Sequence, residues 1–245
     1  EQLQCQAERF GADIRYGEVT GLTDKGDHKI IQTTDGELKA KAVLIATGSD
    51  YKKIGVPGEA EYYGRGVHYC ATCDGAFYRE KRLVVVGGGN SAVQEAIFLT
   101  RFTTHIDLLV RSTIKASEVL QRDLEKFVKE GKITVHLDTT PLEIIASDGK
   151  NVDSVKASKA GEQVEYKVDG VFVFVGLLPN TGFLKNTGVA LDDQGFIKSD
   201  SALQTTVRGV FVSGDVRSGA TMQIASAVGE GATVALKMRE FLEAH

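Results

Sequence analysis

The 245-residue chain has no tryptophan, three prolines, two methionines and three cysteines, and each scarcity excludes something. Three cysteines are too few for the disulfide framework of a small secreted domain. No apolar run approaches the roughly 18 residues needed to cross a bilayer. The opening residues Glu1-Gln2-Leu3-Gln4 lack the basic-then-apolar pattern of a secretion signal, so a cytoplasmic setting is expected. Basic excess is also missing. A formal charge of −4 gives no broad positive field to attract phosphate backbones, and nucleic acid is a poor first expectation. What the chain does have is 27 glycines and a 42% hydrophobic share, enough for one large domain or two small ones with their own cores. Glycine in that number with so little proline suits the tight strand-to-helix turns of an α/β protein rather than a collagen-like or low-complexity chain.

Leu3, Ala7 and Phe10 fall on one helical face, and the chain opens inside this pattern with no capping residue ahead of it. Residues 14–19, 29–33 and 38–41 alternate like a short antiparallel meander, broken by Lys25-Gly26-Asp27 and Asp35-Gly36. A buried strand is predicted over 42–46, ending in the turn Thr47-Gly48, where a cofactor can approach backbone. The Pro/Gly segment 54–58 marks one breakpoint. From Arg82 onward strand and helix alternate: strands over 83–86, 106–110 and 133–136, helices over 92–102 and 120–128. That order argues for a parallel sheet with crossover helices. A meander over 142–146, 152–157 and 164–168 follows, then a strand over 171–175. Gly176 and Pro179-Asn180 mark a second breakpoint, and the chain closes with a strand over 210–212 and a helix over 221–242.

Four motifs carry chemistry. Val84-Val85-Val86-Gly87-Gly88-Gly89-Asn90-Ser91-Ala92 satisfies G-x-G-x-x-A between a buried strand and a helix. Gly87 permits the tight turn, Gly89 lets a pyrophosphate approach backbone, Ala92 packs the helix close, and Asn90 and Ser91 open a helix whose free N–H groups attract anions. About 25 residues after Gly87 the second strand ends, where an acidic residue would bind ribose hydroxyls. Arg111, Ser112 and Lys115 stand there instead, which leans toward a 2′-phosphate or is an ordinary solvated basic turn. Cys70-Ala71-Thr72-Cys73-Asp74 places two thiols three apart, able to close a small redox disulfide, with Asp74 able to relay a proton to the departing thiolate. A zinc site would need four ligands, with only His68 and Cys5 to join the pair, so no metal is expected. Finally, Val212-Ser213-Gly214-Asp215 is a strand-to-turn step whose carboxylate can accept hydrogen bonds from ribityl or ribose hydroxyls, or merely start a helix.

Together, Cys70 to Asp74, Gly87 to Ala92, Val175-Gly-Leu-Leu-Pro179-Asn180-Thr181 and Gly209 to Val216 resemble the low-molecular-weight thioredoxin reductase family, in order and spacing, over essentially the whole chain. The resemblance implies two dinucleotide-binding, Rossmann-like three-layer domains: an FAD-binding domain of 1–53 and 180–245, into which an NAD(P)H-binding domain of 54–179 carrying the dithiol is inserted. It implies a homodimer using FAD and NADPH, with NADH as the alternative nucleotide, and thioredoxin or a similar small protein as partner. By position, Cys73 resembles the thiol facing the flavin, Cys70 the thiol that attacks the partner disulfide, and Asp74 the proton-transfer acid. Gly87, Gly89 and Ala92 would hold the nicotinamide nucleotide's pyrophosphate. Thr47, Gly48, Gly214, Asp215, Gln223, Ile224 and Ala225 would line FAD.

The sequence departs from the family pattern twice. The family opens with a further G-x-G-x-x-G turn for the FAD pyrophosphate. This chain starts after that point, so the FAD domain is expected to be incomplete and the sequence a piece of a longer protein. The family's nucleotide-selecting run is His-Arg-Arg, three intervening residues and another Arg. Here those positions are Val110, Arg111, Ser112 and Ala116, with Lys115 one place early, and Met222 replaces the Arg preceding the final glutamine. Loss of charged hydrogen bonds worth roughly 1.5–3 kcal/mol each predicts weaker NADPH binding. The leading expectation is a flavin-dependent disulfide reductase. The alternatives are a related reductase fed by NADH or ferredoxin, and a non-catalytic nucleotide-binding module.

Overall fold

The structure is a computed structural model that describes residues 2–244. In chain order its elements are α1 (Gln2–Arg9), β1 (Val19–Asp24), β2 (Lys29–Thr33), β3 (Gly36–Ala40), β4 (Val43–Ile45), β5 (Ser49–Tyr51), β6 (Val67–His68), α2 (Ala71–Asp74), β7 (Arg82–Val86), α3 (Asn90–Leu99), β8 (His105–Leu109), α4 (Glu118–Lys129), β9 (Ile133–His136), β10 (Thr139–Ile145), β11 (Ser154–Lys159), β12 (Glu162–Lys167), β13 (Gly170–Val173), β14 (Leu177–Pro179), β15 (Val210–Val212) and α5 (Ile224–Glu243). Single 3-10 turns occupy Gly75–Tyr78, Gly182–Leu184 and Gly214–Val216. The chain divides into two compact units, one made of Glu1–Asp50 with Leu178–His245 and the other of Tyr51–Leu177.

In the Tyr51–Leu177 unit, β7 is too uniformly apolar to show one face to water, and it runs through the middle of a five-stranded parallel sheet of order β6-β13-β7-β8-β9. Its side chains divide by the two-residue strand period. Val84 and Val86 enter a core shared with Ile144, Val155 and Ala157 of the β10-β11-β12 meander. Leu83 and Val85 enter a second core with Val93, Ala96 and Leu99 of α3 and Leu124 of α4. The result is three layers: helices, sheet, meander. The chain moves outward from β7 through β8 to β9 and returns on the other side as β13, so the sheet's order reverses between β7 and β13. In such sheets ligands bind at the carboxyl ends of the strands flanking the reversal.

The other unit has a parallel pair, β4 with β15, joined in register Val43↔Val210, Leu44↔Phe211 and Ile45↔Val212. Ile45, Val210 and Val212 share a core with Leu22 of β1 and with Leu184, Ile197 and Val216. On the opposite side Phe211 packs with Val234 and Phe241 of α5. The β1-β2-β3 meander forms, but its first strand begins at Val19 rather than at residue 14. The reason is the turn: Lys25 N–H donates to His28 O, which pairs Asp24 with Lys29 and pulls the strand against the hairpin. Lys29, only 1% exposed, is matched by the Asp24 carboxylate at 3.0 Å. Residues 14–18 stay exposed outside the strand.

Candidate active site

The cysteine pair lies at the head of α2. Cys70 is the residue before the helix, extended at φ −135°, and its sulfur accepts the Cys73 N–H at 3.2 Å. A three-residue spacing across a first helical turn brings both side chains to one face, and here they are joined as a disulfide with Cα atoms 5.3 Å apart. Asp74 follows on the same turn. Its carboxylate is 3.1 Å from Nδ1 of His68, and Nε2 of His68 is 2.7 Å from the Tyr78 hydroxyl. His68 and Tyr78 are both buried. Burial, with the nearby charges of Asp74 and Asp169, pushes the Tyr78 hydroxyl up to about 12, so it remains protonated. Among the described residues no group of three or more His, Cys, Asp or Glu side chains is placed to hold a metal. Cys5 is a free, exposed cysteine on α1.

The glycine turn follows β7. Gly87 has φ +142°, and a Cβ there would lie 2.3 Å from the Phe174 carbonyl oxygen and 2.7 Å from the Ala92 methyl, so only glycine fits. Ala92 is fully buried, letting α3 approach the sheet closely. Gly89 precedes α3 with no side chain capping the helix, and a Cβ built on it meets nothing within 4 Å. The loop after β8 folds over this turn: Lys115 N–H donates to Gly88 O at 2.7 Å, and Ser117 N–H donates to Asn90 Oδ1 at 2.8 Å.

These residues surround a cleft of about 480 Å³ whose walls include Gly87 to Ser91, Val110 to Thr113, Lys115, Thr139 and Gly176. Lys52, Lys53, Arg111 and Lys115 line it, and among the described residues no Asp or Glu does. The cleft therefore suits a strongly anionic ligand, and its open Gly89 wall beside an uncapped helix N-terminus fits a dinucleotide pyrophosphate. Lys52 and Lys53 were missed by sequence reasoning. Their only signal is two adjacent cations, far upstream of the glycine turn. Lys53 Nζ lies 3.7 Å from the ring centroid of Tyr69, the residue before Cys70, and Tyr51 stacks on the same ring. Because β6, β13 and β7 are parallel, the dithiol turn and the glycine turn leave the same edge of one sheet, two strand spacings or about 10 Å apart.

In the other unit the turns after β4 and β15 also lie side by side, with Ser213 N–H donating to Ile45 O at 3.1 Å. Thr47 Oγ1 donates to Asn180 O at 2.8 Å, Asn180 Nδ2 returns a bond to Thr47 O at 3.0 Å, and Gly48 O accepts from Asn180 N–H. Gly48 has φ +67° with open space where a Cβ would stand. Gly214 N–H donates to Glu230 Oε2 at 2.8 Å, and Glu230 also holds Arg217, which tethers the 3-10 turn containing Asp215 to α5. Arg217 above all holds the Glu230 carboxyl below its usual range. Gln223 stands before α5, whose first residues Ile224 and Ala225 are exposed and whose end no side chain caps. Thr47, Gly48, Gly214 and Asp215 thus gather at the carboxyl end of a parallel strand pair. At Gly48 this edge leaves backbone open to close approach, as a nucleotide's ribityl or phosphate group would require.

A redox dithiol and a dinucleotide turn on one parallel sheet define a class, the nucleotide-linked disulfide oxidoreductases. Residues 3–231 match the pyridine nucleotide-disulphide oxidoreductase family. The chain is 41% identical over 240 residues to the thioredoxin reductase of Bacillus subtilis, covering 97% of this chain and 74% of that protein. It is 39% identical over 246 residues to the one of Treponema pallidum, covering 99% and 78%. Among solved structures, thioredoxin reductase from Streptococcus pyogenes matches with a TM-score of 0.91 at 37% identity, covering 100% of this chain and 79% of that one. The chain belongs to the pyridine nucleotide-disulphide oxidoreductase family, in its low-molecular-weight thioredoxin reductase branch.

Proposed function

We propose that the protein is a flavin-dependent disulfide reductase that passes electrons from NADPH through FAD and the Cys70–Cys73 disulfide to thioredoxin or a similar small redox protein. The observation that carries this reading is the dithiol turn and the glycine turn leaving one edge of the same sheet. FAD, when bound, supplies the carrier that accepts a hydride and returns electrons to a disulfide. Thr47, Gly48, Gly214, Asp215, Gln223, Ile224 and Ala225 are the residues that would hold it. Gly87, Gly89, Asn90, Ser91 and Ala92 would cradle the nucleotide's pyrophosphate. Arg111, Ser112 and Lys115, with Lys52 and Lys53, favour NADPH over NADH, because a cleft lined by four cations stabilises the extra 2′-phosphate. In this reading 54–179 is the nucleotide domain, and 1–53 with 180–245 belongs to the flavin domain.

In this reading Cys70 attacks the partner disulfide, Cys73 is the thiol that would exchange electrons with the flavin, and Asp74 moves the proton. The exposed apolar residues Ile224, Val228 and Leu236 of α5 supply a surface for a second copy of the chain. The reducing cytoplasm is the compartment in which such a dithiol works. The test is NADPH-dependent reduction of thioredoxin by the flavin-loaded full-length protein, run beside NADH and reduced ferredoxin. NADPH-driven turnover that is lost in Cys70→Ser is expected. Turnover driven by ferredoxin alone would refute the donor assignment, and absence of turnover with every donor would refute the activity.

A further inference from the structure

We propose that His68 is a positioning residue for disulfide exchange, its imidazole holding the Asp74 carboxylate in place by a close charge contact at one ring nitrogen while the other is anchored on Tyr78. The proposal deepens the disulfide reductase reading and rests on it. Three observations carry it. The ring is buried at 7% exposure and stacked on Phe172 of β13, with centroids 5.2 Å apart, so it has one orientation. Both ring nitrogens are engaged, Nδ1 by Asp74 at 3.1 Å and Nε2 by Tyr78 at 2.7 Å. And β13 carries Gly170 where any Cβ would lie 2.5 Å from the Tyr78 ring, so the strand leaves room for the tyrosine that anchors the bridge.

A carboxylate only accepts, so the imidazole meets Asp74 with Nδ1 protonated, while Nε2 shares a hydrogen bond with the Tyr78 hydroxyl. Asp74 and Tyr78 are the titratable groups in contact with the ring. Beyond them Asp169 acts on Tyr78 through its charge, and Lys81 Nζ lies 5.7 Å from the Tyr78 ring. From β13 Phe172 stacks on it.

The step the bridge serves is the second half of exchange. In the mixed disulfide between Cys70 and a partner sulfur, the Cys73 thiol gives its proton to the Asp74 carboxylate and its sulfur attacks Cys70. The Cys70–Cys73 bond forms, the bond from Cys70 to the partner breaks, and the electron pair leaves with the partner sulfur. That thiolate then takes the proton from Asp74, so the protein dithiol is oxidised and the partner reduced. An Asp74 side chain free to swing into solvent does this less often.

The test compares the flavin-loaded full-length wild type with His68→Leu, His68→Gln, Asp74→Asn and the double variant His68→Leu/Asp74→Asn, all on a Cys5→Ser background. Glutamine can donate to Asp74 and accept from Tyr78, whereas leucine can do neither. In thioredoxin reduction, kcat of His68→Leu falls about tenfold or more with KM unchanged, and His68→Gln returns it to within about threefold of the wild type. The double variant is no slower than Asp74→Asn alone, as expected of a residue acting through Asp74. In parallel, iodoacetamide alkylation of the dithiothreitol-reduced proteins is followed from about pH 5 to 9, which needs no turnover. In the proposed step the Asp74 carboxylate meets the Cys73 thiol and disfavours its ionisation, so His68→Leu is expected to move the midpoint down, in the direction of Asp74→Asn, and His68→Gln to restore it. Unchanged turnover in His68→Leu, a glutamine variant as poor as the leucine one, or additive losses in the double variant overturns the proposal. If the wild type itself does not turn over, the reductase reading fails, and the alkylation profile still decides the role: coincident midpoints refute it, and a glutamine-restored shift supports it.

Discussion

Two glycines two residues apart should respond to the same alanine substitution in opposite ways. At Gly87 the backbone has φ +142°, and the added methyl would stand 2.3 Å from the carbonyl oxygen of Phe174, a backbone atom that cannot swing aside. The conformational strain alone costs about 1–3 kcal/mol. With the clash added, Gly87→Ala should lose about 3 kcal/mol or more, a fall of roughly 6–12 °C in Tm for a protein of this size. At Gly89 the φ is −89° and the methyl meets no protein atom within 4 Å. Gly89→Ala should therefore be neutral or stabilise the fold by about 0.4–1 kcal/mol, through the reduced freedom of the unfolded chain. That methyl nevertheless projects where a pyrophosphate would meet the head of α3, so NADPH should bind at least about tenfold more weakly, or about 1.4 kcal/mol. Thermal unfolding and NADPH titration of the full-length protein measure both quantities on the same samples. Normal NADPH affinity in Gly89→Ala would show that no ligand approaches this wall, and normal stability in Gly87→Ala would show that the turn is not built as described.

Serine at either Cys70 or Cys73 should abolish disulfide turnover while leaving NADPH affinity within about twofold, checked by steady-state rates and titration. Arg111→Ala and Lys115→Ala should each weaken NADPH by about tenfold or more and leave NADH nearly unchanged, since only NADPH carries the 2′-phosphate they would bind. Equal losses for both nucleotides would move these side chains off that phosphate. Glu230, held below the usual range by Arg217 and the Gly214 N–H, gives a pH prediction. Its folded-state pKa lies below the unfolded one, so its contribution is present above about pH 4.3 and is lost as pH falls through the depressed value. Glu230→Gln should lower stability at neutral pH by about 1–3 kcal/mol and flatten the acid side of the pH–stability curve, measured by urea unfolding.

The strand, glycine turn and helix around Gly87 were legible in the sequence because local chemistry fixes them: a run buried on both faces, a turn only glycine can make, and a helix that needs a small residue at Ala92. The dithiol was legible for the same reason, its two members being one helical turn apart. Lys52 and Lys53 were not, because only the return of β13 beside β7 brings their segment to the cleft. His68 was read only as a weak metal-ligand candidate. Its partners Asp74 and Tyr78 reach it through a strand, a one-turn helix and a 3-10 turn packed on Phe172, an arrangement no spacing rule encodes. The first meander strand was placed too early because alternation continues through residues 14–18 while the hairpin turn decides where pairing begins.

The pairing of β5 with β14 reaches beyond the site. Inside the Tyr51–Leu177 unit, Lys52 N–H donates to Gly176 O at 3.0 Å, so that unit enters and leaves at one place. For the remainder of the chain, joining Asp50 to Leu178 before the inserted unit has folded means closing a loop of 127 residues, 51 through 177. Once it has folded, the same closure resembles that of a loop of about four residues, and the entropic cost drops by about 3 kcal/mol. The insertion thereby imposes an order of assembly: the interrupted unit gains its own β4–β15 pairing most readily after the guest within it has become a single short link.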